Sequence, residues 1–211
     1  MFEYRDRGFD RDLVLLAGWA FDHRVFQPLD LKYNYYLYKG GQLDLEESLD
    51  ELVEEKELES VSIFGWSMGG YLAADYAVKR SELIDDLWLV GIREKYPRSE
   101  LAVIKRFMNK NKKVFLKGFY DQVFSDSDEK IKEWFKQELS DDYLEGTGFD
   151  ELKGDLDYLS EAEIDVDGLR GLDRVTFIHG ENDEVAPLEE AKRIVRRAEA
   201  DMLVFEKGGH V

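Results

Sequence analysis

Ser67 stands between Gly65 and Gly69 in the stretch FGWSMGGYLAADYA, which follows the apolar run VSIF and leads into a run of good helix formers. A serine hydroxyl attacks a carbonyl only when a base removes its proton and donors hold the oxyanion that forms. A GxSxG set between a predicted strand and a predicted helix is the setting of a nucleophile elbow, a tight turn that lifts the hydroxyl above the sheet. The plainer alternative is a glycine-rich turn whose serine caps a helix.

Three histidines are available as the base. His210 lies in KGGH after the last apolar run, and it follows Ser67 in the order Ser, Asp, His that an elbow of this kind requires. His179 ends the run VTFIH just before GENDEVAP, where shaping the turn is the simpler role. His23 reads as solvated or locally hydrogen-bonded. The imidazole needs a carboxylate to orient it. Asp183 is the candidate, three residues past Gly180 and four before Pro187. Glu181 and Glu184 are close neighbours, and among 47 acidic residues a solvated surface role is the default for any one. Two backbone amides are expected to form the oxyanion hole, those of Met68 and of Trp19 in the turn after LVLLAG.

These residues need a scaffold that brings them to one edge. LVLLAG (13–18), YNYYLY (33–38), SVSIFG (60–65), LWLVG (87–91), RVTFIHG (174–180) and DMLVFEKGG (201–209) read as strands. Between them lie helical patterns. DLEESLDELVEEKEL carries Leu45, Leu49, Leu52 and Val53 at helical spacing, YLAADYAVKR follows the serine, and PLEEAKRIVRRAEA starts at a proline suited to a first turn. The alternation predicts an α/β fold, a mostly parallel sheet with helices on both faces. Residues 92–165 interrupt it with helical signals alone, so the expected division is a core of residues 1–91 and 166–211 with a helical cap, 92–165, inserted.

The totals exclude several classes. A formal charge of −18 opposes binding to a nucleic-acid backbone, which needs a basic field. With no cysteine there is no disulfide, thiolate metal site or cysteine nucleophile. The charged start MFEYRDRGFDRD lacks the apolar stretch of a secretory signal, and no apolar run approaches the ~18 residues of a membrane span. A cytoplasmic monomer, without metal or organic cofactor, is expected.

Taken together, AGW, GWSMGG, GENDEVAP and GGH resemble the α/β-hydrolase family across nearly the whole chain. Within it, LVLLAGW running into FDHRVFQPL, the tryptophan before the serine, the short chain and the helical cap resemble the esterases of biotin synthesis that demethylate pimeloyl-acyl carrier protein methyl ester. Ala17 departs from the histidine that many relatives carry in HGW. The chain also ends at Val211, where such folds continue into a helix, so a weakly held His210 is expected. The resemblance implies a serine carboxylic ester hydrolase with the triad Ser67, Asp183 and His210, acting on a small-molecule or carrier-bound acyl ester. A thioesterase or general short-chain carboxylesterase would use the same machinery, and a non-catalytic homologue would keep the pocket for a ligand.

The interrupting segment divides by charge. Residues 92–118 hold nine basic groups against two acids, a net of +7, whereas 119–165 hold sixteen acids against four lysines, a net of −12. On one continuous helix, Arg106, Lys110, Lys113 and Lys117 would form a stripe beside an apolar face of Leu101, Ile104, Met108 and Phe115. The stripe suits an acidic partner such as acyl carrier protein; the rival reading is pairing with the acidic half. Trp19, Trp66, Phe107, Phe115 and Phe119 are the candidates to line an apolar acyl channel.

Overall fold

The apolar runs become strands of a computed structural model that describes residues 1–41 and 44–210. The strands are β1 (Phe2–Arg5), β2 (Asp12–Leu16), β3 (Asn34–Tyr38), β4 (Val61–Trp66), β5 (Ile84–Val90), β6 (Val175–Gly180) and β7 (Asp201–Phe205). They form one sheet in the order β1-β3-β2-β4-β5-β6-β7, in which only β1 runs antiparallel to its neighbour. This is the α/β architecture that the alternation of runs predicts. The edge strand β1 has no sequence counterpart above, because FEYR is half polar and lies in a charged terminus.

Helices α1 (Leu45–Glu55) and α2 (Met68–Lys79) precede β5, while α8 (Val166–Leu169) and α9 (Leu188–Ala198) flank β6. Register puts Ile63, Gly65, Leu87, Leu89 and Phe177 on one face of the sheet. On that face α2 packs so closely that a Cβ on Gly65 would stand 2.8 Å from Ala73. Asp50 of α1 meets α2 through Tyr76 at 3.1 Å and Arg80 at 2.7 Å.

The other face carries Phe64, Trp88, Val90, Ile178 and Leu203. Residues 22–32 are too few for a long helix there, and a 3-10 turn over His23–Phe26 covers it instead, with Phe26 edge-on to Phe64 at 5.9 Å. Towards β7 the covering runs out. Leu203 and Phe205 remain 54% and 60% exposed.

Between β5 and β6 lie α3 (Arg98–Lys110), α4 (Lys112–Val123), α5 (Glu129–Glu138), α6 (Ser140–Gly146) and α7 (Phe149–Glu161). An aromatic cluster joins them to the sheet. Phe21 contacts Trp66 at 4.8 Å, Tyr120 at 5.2 Å and Phe135 at 6.0 Å. Hydrogen bonds cross the same junction, among them Trp19 Nε1 donating to the Leu152 carbonyl (3.0 Å), Tyr120 to the Ala20 carbonyl (3.0 Å) and Tyr143 to Asp22 Oδ1 (2.9 Å). At about 1 kcal/mol per net hydrogen bond, against about 1.5–3 kcal/mol per buried aromatic ring, packing holds the insertion and the bonds fix its register. Among the described residues no helix is long and apolar enough to cross a membrane.

Candidate active site

The turn between β4 and α2 forces Ser67 into φ 53°, ψ −119°, a region an ordinary side chain avoids at a cost of about 1–3 kcal/mol. Neighbouring small residues make the turn possible. A Cβ on Gly65 would lie 2.5 Å from the Gly69 carbonyl, and one on Gly69 would collide with the Leu16 carbonyl at the end of β2. Ser67 N–H donates to the Val90 carbonyl at 2.8 Å, fastening the turn to β5. Met68 opens α2, so its N–H is among the first-turn amides that find no acceptor inside the helix. The turn that carries Trp19 touches the elbow, since a Cβ on Gly18 would stand 3.0 Å from the Ser67 Cβ.

Adjacent parallel strands bring the other two candidates together. Beyond β6 and β7 the loops pack backbone to backbone, Asn182 N–H donating to the Gly208 carbonyl at 2.8 Å. His210 Nδ1 and Asp183 Oδ2 are 2.8 Å apart, and both side chains are buried. The other carboxylate oxygen accepts from Val185 N–H at 2.9 Å and Ala186 N–H at 2.8 Å. Burial would raise the Asp183 pKa, but the bond to His210, its charge and the Ala186 amide outweigh that and hold the carboxyl below its ordinary range. The Asp183–His210 pair is therefore an ionised acceptor beneath an imidazole.

His210 is anchored from a second side. Trp66, next to the serine, donates its indole N–H to the His210 carbonyl at 2.8 Å, with the two rings 5.6 Å apart. The expected weakly held His210 is not found: Asp183 and Trp66 fix its ring and its carbonyl. Gly91, at φ 57° after β5, lies against the pair, where a Cβ would come within 3.1 Å of the imidazole and 3.4 Å of Asp183. Nothing in the pattern LWLVG marks that glycine as a support for the site.

His179 shapes the turn, as its sequence position suggests: Nε2 donates to the Ala186 carbonyl at 2.6 Å and lies 3.5 Å from Asp183. Burial pushes its pKa down. His23 sits half-buried 3.8 Å from Glu3, away from the pair. The Tyr96 ring lies 6.0 Å from that of Tyr71 and 5.2 Å from the Arg93 guanidinium, and burial pushes its phenol up to about 12.

The channel residues divide. Trp66 lines a cavity of about 250 Å³ that also touches His210, with Leu29, Phe64, Val90, Ile131 and Trp134. Trp19, Phe115 and Phe119 pack on one another instead, Trp19 lying 6.3 Å from Phe115 and 5.0 Å from Phe119. Phe107 is a correction: it is 46% exposed on the outside of α3, beneath Arg106 (5.7 Å) and Lys110 (5.6 Å), and faces no channel. The basic stripe is also corrected. Asn111 breaks the helix and caps α4, accepting from Val114 N–H at 3.1 Å, so Arg106 and Lys110 belong to α3 while Lys113 and Lys117 belong to α4. Lys113 pairs with Glu145 and Lys105 with Asp157, joining the basic half to the acidic one. Arg106, Lys110 and Lys117 are exposed and form no ion pair among the described residues.

Comparison with known proteins agrees with this architecture. The family profile of the alpha/beta hydrolase fold matches residues 22–211. A pimeloyl-[acyl-carrier protein] methyl ester esterase of Vibrio atlanticus (strain LGP32) is 25% identical over 72% of this chain, which spans about three fifths (60%) of that protein. An esterase from Exiguobacterium antarcticum superposes with a TM-score of 0.80 at 21% identity, covering 99% of this chain and 88% of the other. A bromoperoxidase from Bacillus anthracis gives 0.81 at 20% identity, covering 99% and 87%. The two structural likenesses are likenesses of fold.

Proposed function

Since the chain belongs to the α/β-hydrolase family, we propose that it is a serine carboxylic ester hydrolase whose catalytic residues are Ser67, His210 and Asp183. One observation carries the reading: a buried Asp183–His210 pair at 2.8 Å, tied through Trp66 to a serine held in a strained elbow. Neutral His210 takes the Ser67 proton as the hydroxyl attacks the ester carbonyl. The amides of Met68 and Trp19 receive the oxyanion. The protonated imidazole, steadied by Asp183, then gives its proton to the departing alcohol. Water, activated by the same imidazole, releases the acid from the acyl-serine.

The finer reading is a pimeloyl-acyl carrier protein methyl ester esterase of biotin synthesis, acting in the cytoplasm. It is supported by the similarity to the Vibrio protein and by the exposed cations of α3 and α4. Arg106, Lys110 and Lys117 provide a basic patch on a chain of net charge −18, which suits an acidic carrier. Lys113, already paired with Glu145, is the weaker member of that docking set.

Hydrolysis of a p-nitrophenyl ester tests the core of the proposal. Ser67→Ala is expected to lower kcat by roughly 10⁴-fold or more. Turnover that persists in that variant would refute the assignment.

A further inference from the structure

The sheet ends on two unlike edges. β1 carries Glu3 and Arg5 within the strand, with Lys39 paired to Glu3, so charge covers that side. β7 pairs with β6 alone, and between Asp201 and Glu206 it reads Met202, Leu203, Val204 and Phe205, without lysine or proline. Leu203 and Phe205 on one face are 54% and 60% exposed, and Val204 on the other is 43% exposed. An uncovered apolar edge of this kind is a template for another strand.

Backbone direction decides what the edge offers. The Phe205 carbonyl accepts from Glu181 N–H at 3.0 Å, so it points to the β6 side. Alternation along the strand then turns the N–H and C=O of Val204 outward, away from β6. The two ends of the segment carry opposite charges, Asp201 at its start and Lys207 just past its end. Both are exposed, and neither forms an ion pair among the described residues.

We propose that β7 pairs antiparallel with β7 of a second copy of this chain, about a two-fold axis at Val204, in place of the monomer expected from the sequence. The stretch DMLVFEK is self-complementary in that register. Val204 faces the partner's Val204 and exchanges backbone hydrogen bonds with it. Leu203 stands opposite the partner's Phe205, and the two such pairs close over one face of the joined sheet. Asp201 stands opposite the partner's Lys207 at each end. These matched end charges favour a second copy over an unrelated strand. The proposal does not depend on the esterase reading.

A contact through one five-residue strand falls below about 1,200 Å², among weak complexes, and each copy carries a charge of −18. Sedimentation velocity of the full chain in ~0.15 M salt, which screens repulsion beyond about 8 Å, should therefore show monomer near ~1 µM and mostly dimer near ~500 µM. Val204→Lys sets like charges on the axis and should weaken association at least about tenfold, with a native-like circular dichroism spectrum. Asp201→Lys alone should weaken it about tenfold, and adding Lys207→Asp should restore it, because the swap pairs the charges again. The chain has no cysteine, so Val204→Cys supplies a lone thiol that should oxidise to a linked dimer, whereas Val114→Cys, at a position 68% exposed, should not. A monomer at every concentration, with the edge left to some other occupant, would overturn the proposal. So would a dimer indifferent to Val204→Lys, or one that the paired charge swap fails to recover.

Discussion

At the scale of single residues, Asp183 is the test of whether the imidazole is oriented or merely present. Its Oδ2 meets His210 and its Oδ1 is filled by two amides, so the carboxylate cannot turn away. Asparagine in its place would keep the shape but present an amide to Nδ1 and favour the wrong tautomer. Asp183→Asn is expected to reduce kcat by roughly 10³- to 10⁴-fold with a native-like circular dichroism spectrum. A loss under about tenfold would place the orienting group elsewhere. The loop positions of Ser67, Asp183 and His210 could be read from the sequence because each is a polar residue soon after an apolar strand. Gly91 could not. Its place against the imidazole comes from packing on residues more than eighty positions away, and local pattern carries no trace of that.

Elements show where periodicity is informative and where it misleads. β2, β4 and β6 are central and buried, so they read as continuous apolar runs. Edge strand β1 is half exposed and mixes charge with aromatics, and it passes for a solvated terminus. One helix running through residues 92–118 would align Arg106, Lys110, Lys113 and Lys117, yet Asn111 acts as the N-cap of α4 and divides the segment. The division changes which cations can act together. Arg106→Glu with Lys110→Glu, both on α3, should lower hydrolysis of carrier-bound methyl pimelate about tenfold relative to a p-nitrophenyl ester at low salt. That difference should shrink as salt rises, as steering by exposed charge does. An unchanged ratio at every salt concentration would remove the docking surface.

Across the whole molecule, buried titratable groups tie stability to pH. His179 and His23 both have pKa values lowered chiefly by burial, so the unfolded chain binds protons more readily than the native one once pH falls below the ordinary 6.5. Their contribution is full above that value and is lost as pH drops through the lowered native values; Asp183, also lowered, adds a further loss below the ordinary 3.8. Urea midpoints should therefore decline between about pH 7.5 and pH 5, and less steeply in a His179→Gln variant. Identical slopes for the two proteins would deny His179 that part. The architecture brings the Asp183 and His210 loops together and ties them through Trp66 to the turn that carries Ser67. The most direct measurement is peptide mapping after reaction with a fluorophosphonate, which forms a stable adduct only with an activated hydroxyl. The account predicts one adduct, on Ser67, absent when His210 is replaced by alanine. An unlabelled protein, or an adduct on another residue, would contradict it.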